Sequence, residues 1–118
     1  MAHIRISLVL DSGARIGPGK AALLESVRDN GSIAAAARAM GMDYKRAWLL
    51  IDSLNQTFDQ AVVERSTGGA GGGGAVLTPF GTEILQCYRR IERDCARLSG
   101  ADLRTLQRHA HAEGRPKV

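Results

Sequence analysis

The chain has 118 residues, enough for one domain with a single core and too few for a second, ligand-binding domain. Its apolar share of 44% is ordinary and its aromatic share of 4% is low, so the core must be assembled from Ala, Leu, Ile and Val, which favours close-packed helices. Lysine and arginine exceed aspartate and glutamate by 16 to 12, a balance compatible with a polyanionic partner but too mild to establish one. No apolar run reaches the ~18 residues of a membrane span and no leader pattern opens the chain, so a cytoplasmic location without a membrane partner is expected.

From Ile4 to Leu10 the residues alternate, with Ile4, Ile6, Leu8 and Leu10 on one side and Arg5, Ser7 and Val9 on the other, the period of a half-buried edge strand. Asp11 to Gly19 reads as a turn. Pro18 suits a first helical turn, Ala22, Leu23 and Val27 mark an inner face, and Asn30-Gly31 ends this first helix. Ser32 can cap a second helix over Ile33 to Met40, in which the alanines from Ala34 to Ala37 form helix readily and add almost no bulk. Gly41 supplies a short turn, and Asp43 caps a third helix with Ala47, Leu50, Ile51, Leu54 and Phe58 at helical spacing.

Val62 to Ser66 and Ala75 to Thr78 read as the strands of a hairpin whose tip, Thr67 to Gly74, is nearly all glycine. Thr78-Pro79 then opens a long amphipathic helix through Leu98. It carries Phe80, Ile84, Cys87, Tyr88, Ile91, Cys95 and Leu98 on one side and Arg89, Arg90, Arg93 and Arg97 on the other. That apolar stripe is longer than one small domain needs to cover, so these residues are expected to form a dimer seam over 79–98. Cys87 and Cys95 stand about 12 Å apart along one helix, too far for a disulfide. Residues 99–118 read as frayed helix followed by disorder, a basic flexible tail beside a folded unit of residues 1–98.

In a helix-turn-helix the crossing needs a small residue and the turn needs glycine, here Ala37 and Gly41, and the second helix projects its first polar residues into a major groove. Those residues are Tyr44, Lys45, Arg46 and Trp48, with Leu49 and Asp52 next along the outward side, opposite Ala47, Ile51 and Leu54. The two cations suit phosphate oxygens or guanine edges, although adjacent cations also occur as plain solvated surface. Trp48 suits either a DNA contact or the core, because a lone tryptophan in a small helical protein is usually covered. Ser32 is a helix cap in any case, and helix starts of this kind also meet phosphate.

The segments Gly31-Ser32-Ile33, Asp43-Tyr44-Lys45-Arg46-Ala47-Trp48 and Val63-Glu64-Arg65, with the glycine-rich run from Thr67 to Thr78, carry a resemblance over most of residues 4–98. Together they resemble the N-terminal domain of ModE-type molybdenum-responsive regulators, a branch of the LysR-like winged helix proteins. The resemblance implies an α+β, mainly α, winged helix-turn-helix of bacterial transcription regulators. In it the third helix, from Asp43 on, reads the operator. The hairpin is a wing meeting DNA at Arg65, Thr67 and Gly71, and the long last helix pairs two subunits. The implied partners are double-stranded DNA and a second copy of the chain, as a homodimer. Family members with an effector domain bind molybdate in a C-terminal portion that has no counterpart here, so no molybdate binding by this chain is expected. Where such proteins often place a wing-tip lysine, this chain has Ala70, so wing contact is expected through backbone amides and Arg65. The competing class is a winged-helix adaptor, or a heterodimer partner of a full-length regulator.

Other chemistries find little support. Gly69 to Gly74 matches G-x-G-x-x-G in letters but lacks the strand-loop-helix setting and an acidic residue about 20 positions on, and no Lys-Ser or Lys-Thr follows as in a P-loop. Composition alone would also suit a flexible linker. His3, His109 and His111 with Cys87 and Cys95 fit no structural zinc spacing. Nothing resembles a triad, a carboxylate pair or an activated nucleophile, so no catalytic residue, metal or cofactor is expected and an enzyme is not.

Overall fold

A computed structural model describes residues 2–66 and 73–112. The elements in chain order are β1 (Leu8–Val9), β2 (Arg15–Ile16), α1 (Pro18–Asn30), α2 (Ile33–Ala39), α3 (Tyr44–Thr57), β3 (Val63–Ser66), β4 (Gly74–Leu77) and α4 (Pro79–His109). The strands form two antiparallel pairs, β1 with β2 and β3 with β4, the latter in the register Val63 to Leu77 and Ser66 to Gly74. This is a mainly helical winged helix-turn-helix with a long C-terminal helix.

The helices begin where local chemistry satisfies their first amides. Ser32 is extended and its Oγ accepts from the Ala35 amide at 3.0 Å, while Thr78 Oγ1 accepts from the Gly81 amide at 2.8 Å with Pro79 following as the first helical residue. Asp43 has the extended backbone of a cap, and its carbonyl accepts from Ala47, but its side chain makes no capping bond, contrary to expectation. Gly41 adopts φ +63° in the four-residue link between α2 and α3, a left-handed conformation in which a Cβ would be strained.

The core lies where the three short helices meet the base of the β3–β4 hairpin. Leu23 and Val27 of α1, Ala36 of α2, Ala47 and Leu54 of α3 and Val62 are fully buried, joined by Leu85 and Tyr88 from α4. Alanines on both α2 and α3 let those helices approach closely. Burial of each Leu or Val side chain contributes about 1.5–3 kcal/mol before entropy is counted. Gly81 permits a second close approach, since a Cβ there would stand 2.1 Å from the Val62 carbonyl oxygen.

Two expectations need correction. The strand expected over Ile4 to Leu10 is paired only at Leu8 and Val9, because its partner β2, in the stretch read as pure turn, is two residues long. The alternation itself holds: Ile4, Ile6, Leu8 and Leu10 are half-buried while Arg5, Ser7 and Val9 are exposed. The unpaired part of this arm is held by α4, whose Tyr88 Oη donates to the Ile6 carbonyl at 2.7 Å. Secondly, α4 does not fray at Leu98 but continues to His109. Ser99 turns inward and donates to the Cys95 carbonyl, and one helical glycine, Gly100, costs only about 1 kcal/mol against the cooperativity of a long helix. At 1.5 Å per residue α4 is about 46 Å long, most of the molecule's 55 Å long axis.

Candidate nucleic-acid interface

The start of α3 presents one polar and aromatic face to solvent. Ala47, Ile51 and Leu54 are buried, which turns Tyr44, Lys45, Arg46, Trp48 and Leu49 outward on the same helix. Tyr44 is 50%, Trp48 36% and Leu49 51% exposed, so Trp48 belongs to the outer face and is not a core residue. Three large side chains with apolar surface are thereby exposed on one small part of the molecule. Asp43, free of a capping bond, stands exposed at the same end.

The base of the hairpin closes this face on one side. Ser32, the cap of α2, with Ile33 of α2, Tyr44 of α3, Arg65 of β3 and Gly73 to Ala75 line a concavity of about 320 Å³. A smaller one of about 120 Å³ brings Trp48 and Asp52 beside Asn55, Val63 and Arg65. Ser32, Tyr44, Trp48 and Arg65, distant in sequence, are thereby brought together, with Lys45, Arg46 and Leu49 farther round α3. Thr67 and Gly71 lie outside the described residues.

Among the described residues no carboxylate stands within ion-pair distance of Lys45, Arg46 or Arg65, whereas Arg28, Arg89 and Arg97 are each paired. Arg65 in the concave face and Lys45 and Arg46 farther round α3 thus make no ion pair among the described residues, with Asp52 lining the smaller concavity beside Arg65. Such a surface can accept a polyanion's phosphates while aromatic and apolar groups meet sugars and thymine methyls.

Sequence reasoning missed the residue that holds the hairpin against α3. Asn55 Oδ1 accepts from the Val62 and Val63 amides at 2.8 and 3.2 Å, and its Nδ2 donates to the Val63 carbonyl at 3.1 Å. A second tie runs from the Ala75 amide to the Gly31 carbonyl at 2.8 Å, docking β4 on the turn between α1 and α2. Nothing local distinguishes Asn55 from any polar residue late in a helix, so no sequence signal was available.

The residues expected as one dimer stripe occupy two settings. Phe80, Ile84 and Tyr88 pack on the chain's own core, Phe80 edge-on to Phe58 with ring centroids 5.7 Å apart, and the stripe omitted the buried Leu85. Cys87 and Cys95 are half-buried, while Ile91 at 40% and Leu98 at 75% exposure face outward, followed by the exposed Leu106. Burial, with Glu92 nearby, raises the Tyr88 phenol above its usual pKa. The hydrogen bond to Glu25 is the main cause that raises the already strongly basic Arg89 guanidinium. Among the described residues no group of three or more His, Cys, Asp or Glu is placed to hold a metal ion, and no helix is long and apolar enough to cross a membrane.

The geometry agrees with the relatives the sequence finds. The chain is 44% identical over 87 residues to the molybdenum-pterin-binding protein MopB of Rhodobacter capsulatus, an alignment covering 74% of this chain and 32% of that protein. It is 41% identical over 87 residues to the DNA-binding transcriptional dual regulator ModE of Escherichia coli strain K12, covering 74% and 33%. To the molybdenum transport protein ModE of Azotobacter vinelandii it is 35% identical over 119 aligned positions, covering 92% and 44%. The chain thus spans about a third of the length of the first two relatives and under half of the third. Residues 20–82, which run from α1 through the helix-turn-helix and hairpin into the first turn of α4, match the model of the bacterial regulatory helix-turn-helix proteins, lysR family. The chain belongs to that family.

Proposed function

We propose that the protein binds double-stranded DNA as a homodimer in the bacterial cytoplasm and regulates transcription, with α3 in the major groove and the β3–β4 hairpin as a wing. The observation that carries this reading is the exposed face of Tyr44, Lys45, Arg46 and Trp48 with Arg65 beside it, whose cations make no ion pair among the described residues. Lys45, Arg46 and Arg65 meet phosphates or guanine edges, Tyr44, Trp48 and Leu49 pack on sugars and methyl groups, and Ser32 and Asp43 flank them. Thr67 and Gly71 complete the wing contact through the backbone. The relatives named as transcriptional regulators support the same assignment.

Pairing is assigned to the outer half of α4, where Ile91, Cys95 and Leu98 extend beyond the part of the helix that packs on the core. Two copies related by a twofold axis present their α3 helices to successive turns of the groove, about 34 Å apart, on an inverted repeat. The activity is binding and calls on no catalytic group or cofactor. Molybdate is not a ligand of these residues in this reading, because an oxyanion site needs converging amide and cationic donors.

Fluorescence anisotropy on a selected inverted repeat and on scrambled duplex, across salt concentrations, tests the DNA reading. Trp48→Ala is expected to reduce specific more than non-specific affinity. Folded Trp48→Ala and Lys45→Ala dimers with wild-type affinity and salt slope on both duplexes would overturn it in favour of a protein-binding adaptor. Calorimetry with molybdate and tungstate is expected to show no saturable heat, and a one-site isotherm would refute that part.

A further inference from the structure

In a dimer joined through α4 and reading DNA through α3, the angle between these helices sets the distance between the two reading heads. Phe80, Ile84, Leu85 and Tyr88 pack the first three turns of α4 on the core, and two polar attachments flank that packing. At the start of α4, Thr78 Oγ1 donates to the Ala61 carbonyl at 2.7 Å, the Thr78 amide donates to Val62 at 3.0 Å, and Gly81 rests against the Val62 carbonyl.

The second attachment comes about 15 Å further along, at the 1.5 Å rise of a helix. There Arg89 donates from Nη2 and Nε to the two oxygens of Glu25 on α1, at 2.5 and 3.2 Å, and from Nη1 to Glu92 at 2.9 Å. Tyr88 adds its bond to the N-terminal arm. Among the described residues Glu25 to Arg89 is the only ion pair that joins two helices, and the helix it reaches, α1, packs on both α2 and α3. The cluster is about one-third exposed, a setting in which ion pairs add little stability, so its geometric effect outweighs its energetic one. From Arg89 to the end of the assigned seam at Leu98 the helix runs about 14 Å, and a swing of about 10° displaces that point by about 2.4 Å in each subunit. Doubled across the twofold axis it comes to about 5 Å, more than the rise of ~3.4 Å per base pair.

We infer that the Glu25–Arg89–Glu92 cluster is a positioning element that sets the spacing between DNA half-sites by fixing the direction of α4 relative to the helix-turn-helix. This rests on the homodimeric DNA binding proposed above. Arg89 touches no DNA in this arrangement; it acts through α4.

The test uses the full chain and a half-site recovered by selection from a randomised duplex pool, built into inverted repeats whose spacing changes one base pair at a time. Wild type is expected to prefer one spacing by about tenfold over its neighbours. Arg89→Met is expected to bind a single half-site and to dimerise as wild type does, but to flatten the spacing profile to within about threefold. Glu25→Gln should do the same if Arg89→Met folds poorly, and the exchanged pair Glu25→Arg with Arg89→Glu, which keeps a guanidinium facing both carboxylates, should restore the preference. A wild-type profile in folded Arg89→Met or Glu25→Gln overturns the inference while leaving the DNA-binding reading intact. Absence of any repeat binding by wild type overturns both.

Discussion

Two groups of cations in this chain stand in different settings. Arg65, in a concave face, and Lys45 and Arg46, farther round α3, make no ion pair among the described residues, while Arg89 of α4 is held by Glu25 and Glu92. Net charge of +4 does not separate these groups, and their roles differ in kind. An unpaired surface cation can neutralise a phosphate and displace the counterions condensed on a polyanion, whereas the donors of Arg89 are engaged in holding α4 to α1. In the proposed reading, affinity for DNA and internal architecture are carried by different faces of one small fold, and substitutions should sort accordingly.

The largest effect is expected where the architectural side leaves apolar surface open. Ile91→Asp with Leu98→Asp removes the exposed part of the α4 stripe without entering the core, so light scattering should show a monomer. Affinity for the inverted repeat should fall by about 100-fold or more as bivalent contact is lost. A dimer that persists would move the seam elsewhere. Gly81→Ala acts on packing: a methyl forced to within 2.1 Å of the Val62 oxygen should cost about 1–3 kcal/mol, read as a Tm lower by roughly 4–8 °C per kcal/mol.

On the unpaired face the signature reverses. Lys45→Ala should leave Tm nearly unchanged, weaken binding to all duplexes, and flatten the salt dependence by about one unit of slope if its partner is a phosphate. A loss of thermal stability in this variant would break the division between the two faces. The smallest effect belongs to Tyr88→Phe, which removes the bond to the Ile6 carbonyl and should cost about 0.5–1.5 kcal/mol by denaturant titration. Because the folded phenol titrates above its unfolded value, the chain binds this proton more tightly when folded. The associated stability is present below pH ~10 and is lost as pH rises through the folded pKa, a slope that Tyr88→Phe should abolish.

What the amino-acid sequence determined by itself is local. The caps at Ser32 and Thr78 and the turn at Gly41 were legible because each involves neighbours three or four positions away or the backbone of one residue. The inner face of α3 was legible because buried positions recur with the helical period, and its outer face of Tyr44, Lys45, Arg46, Trp48 and Leu49 followed as the remainder. The same reasoning read the alternation of the N-terminal arm correctly but not its pairing, since a period of two reports burial and says nothing of the partner. Tertiary structure alone decided the contacts between distant segments: Tyr88 with Ile6 across 82 positions, Arg89 with Glu25 across 64, and Asn55 with the base of the hairpin. It also divided the α4 stripe into a core-facing part at Phe80, Ile84 and Tyr88 and an outward part at Ile91 and Leu98. Helical periodicity shows which residues share a face, but how far along that face the chain's own core extends depends on where the other elements end in space.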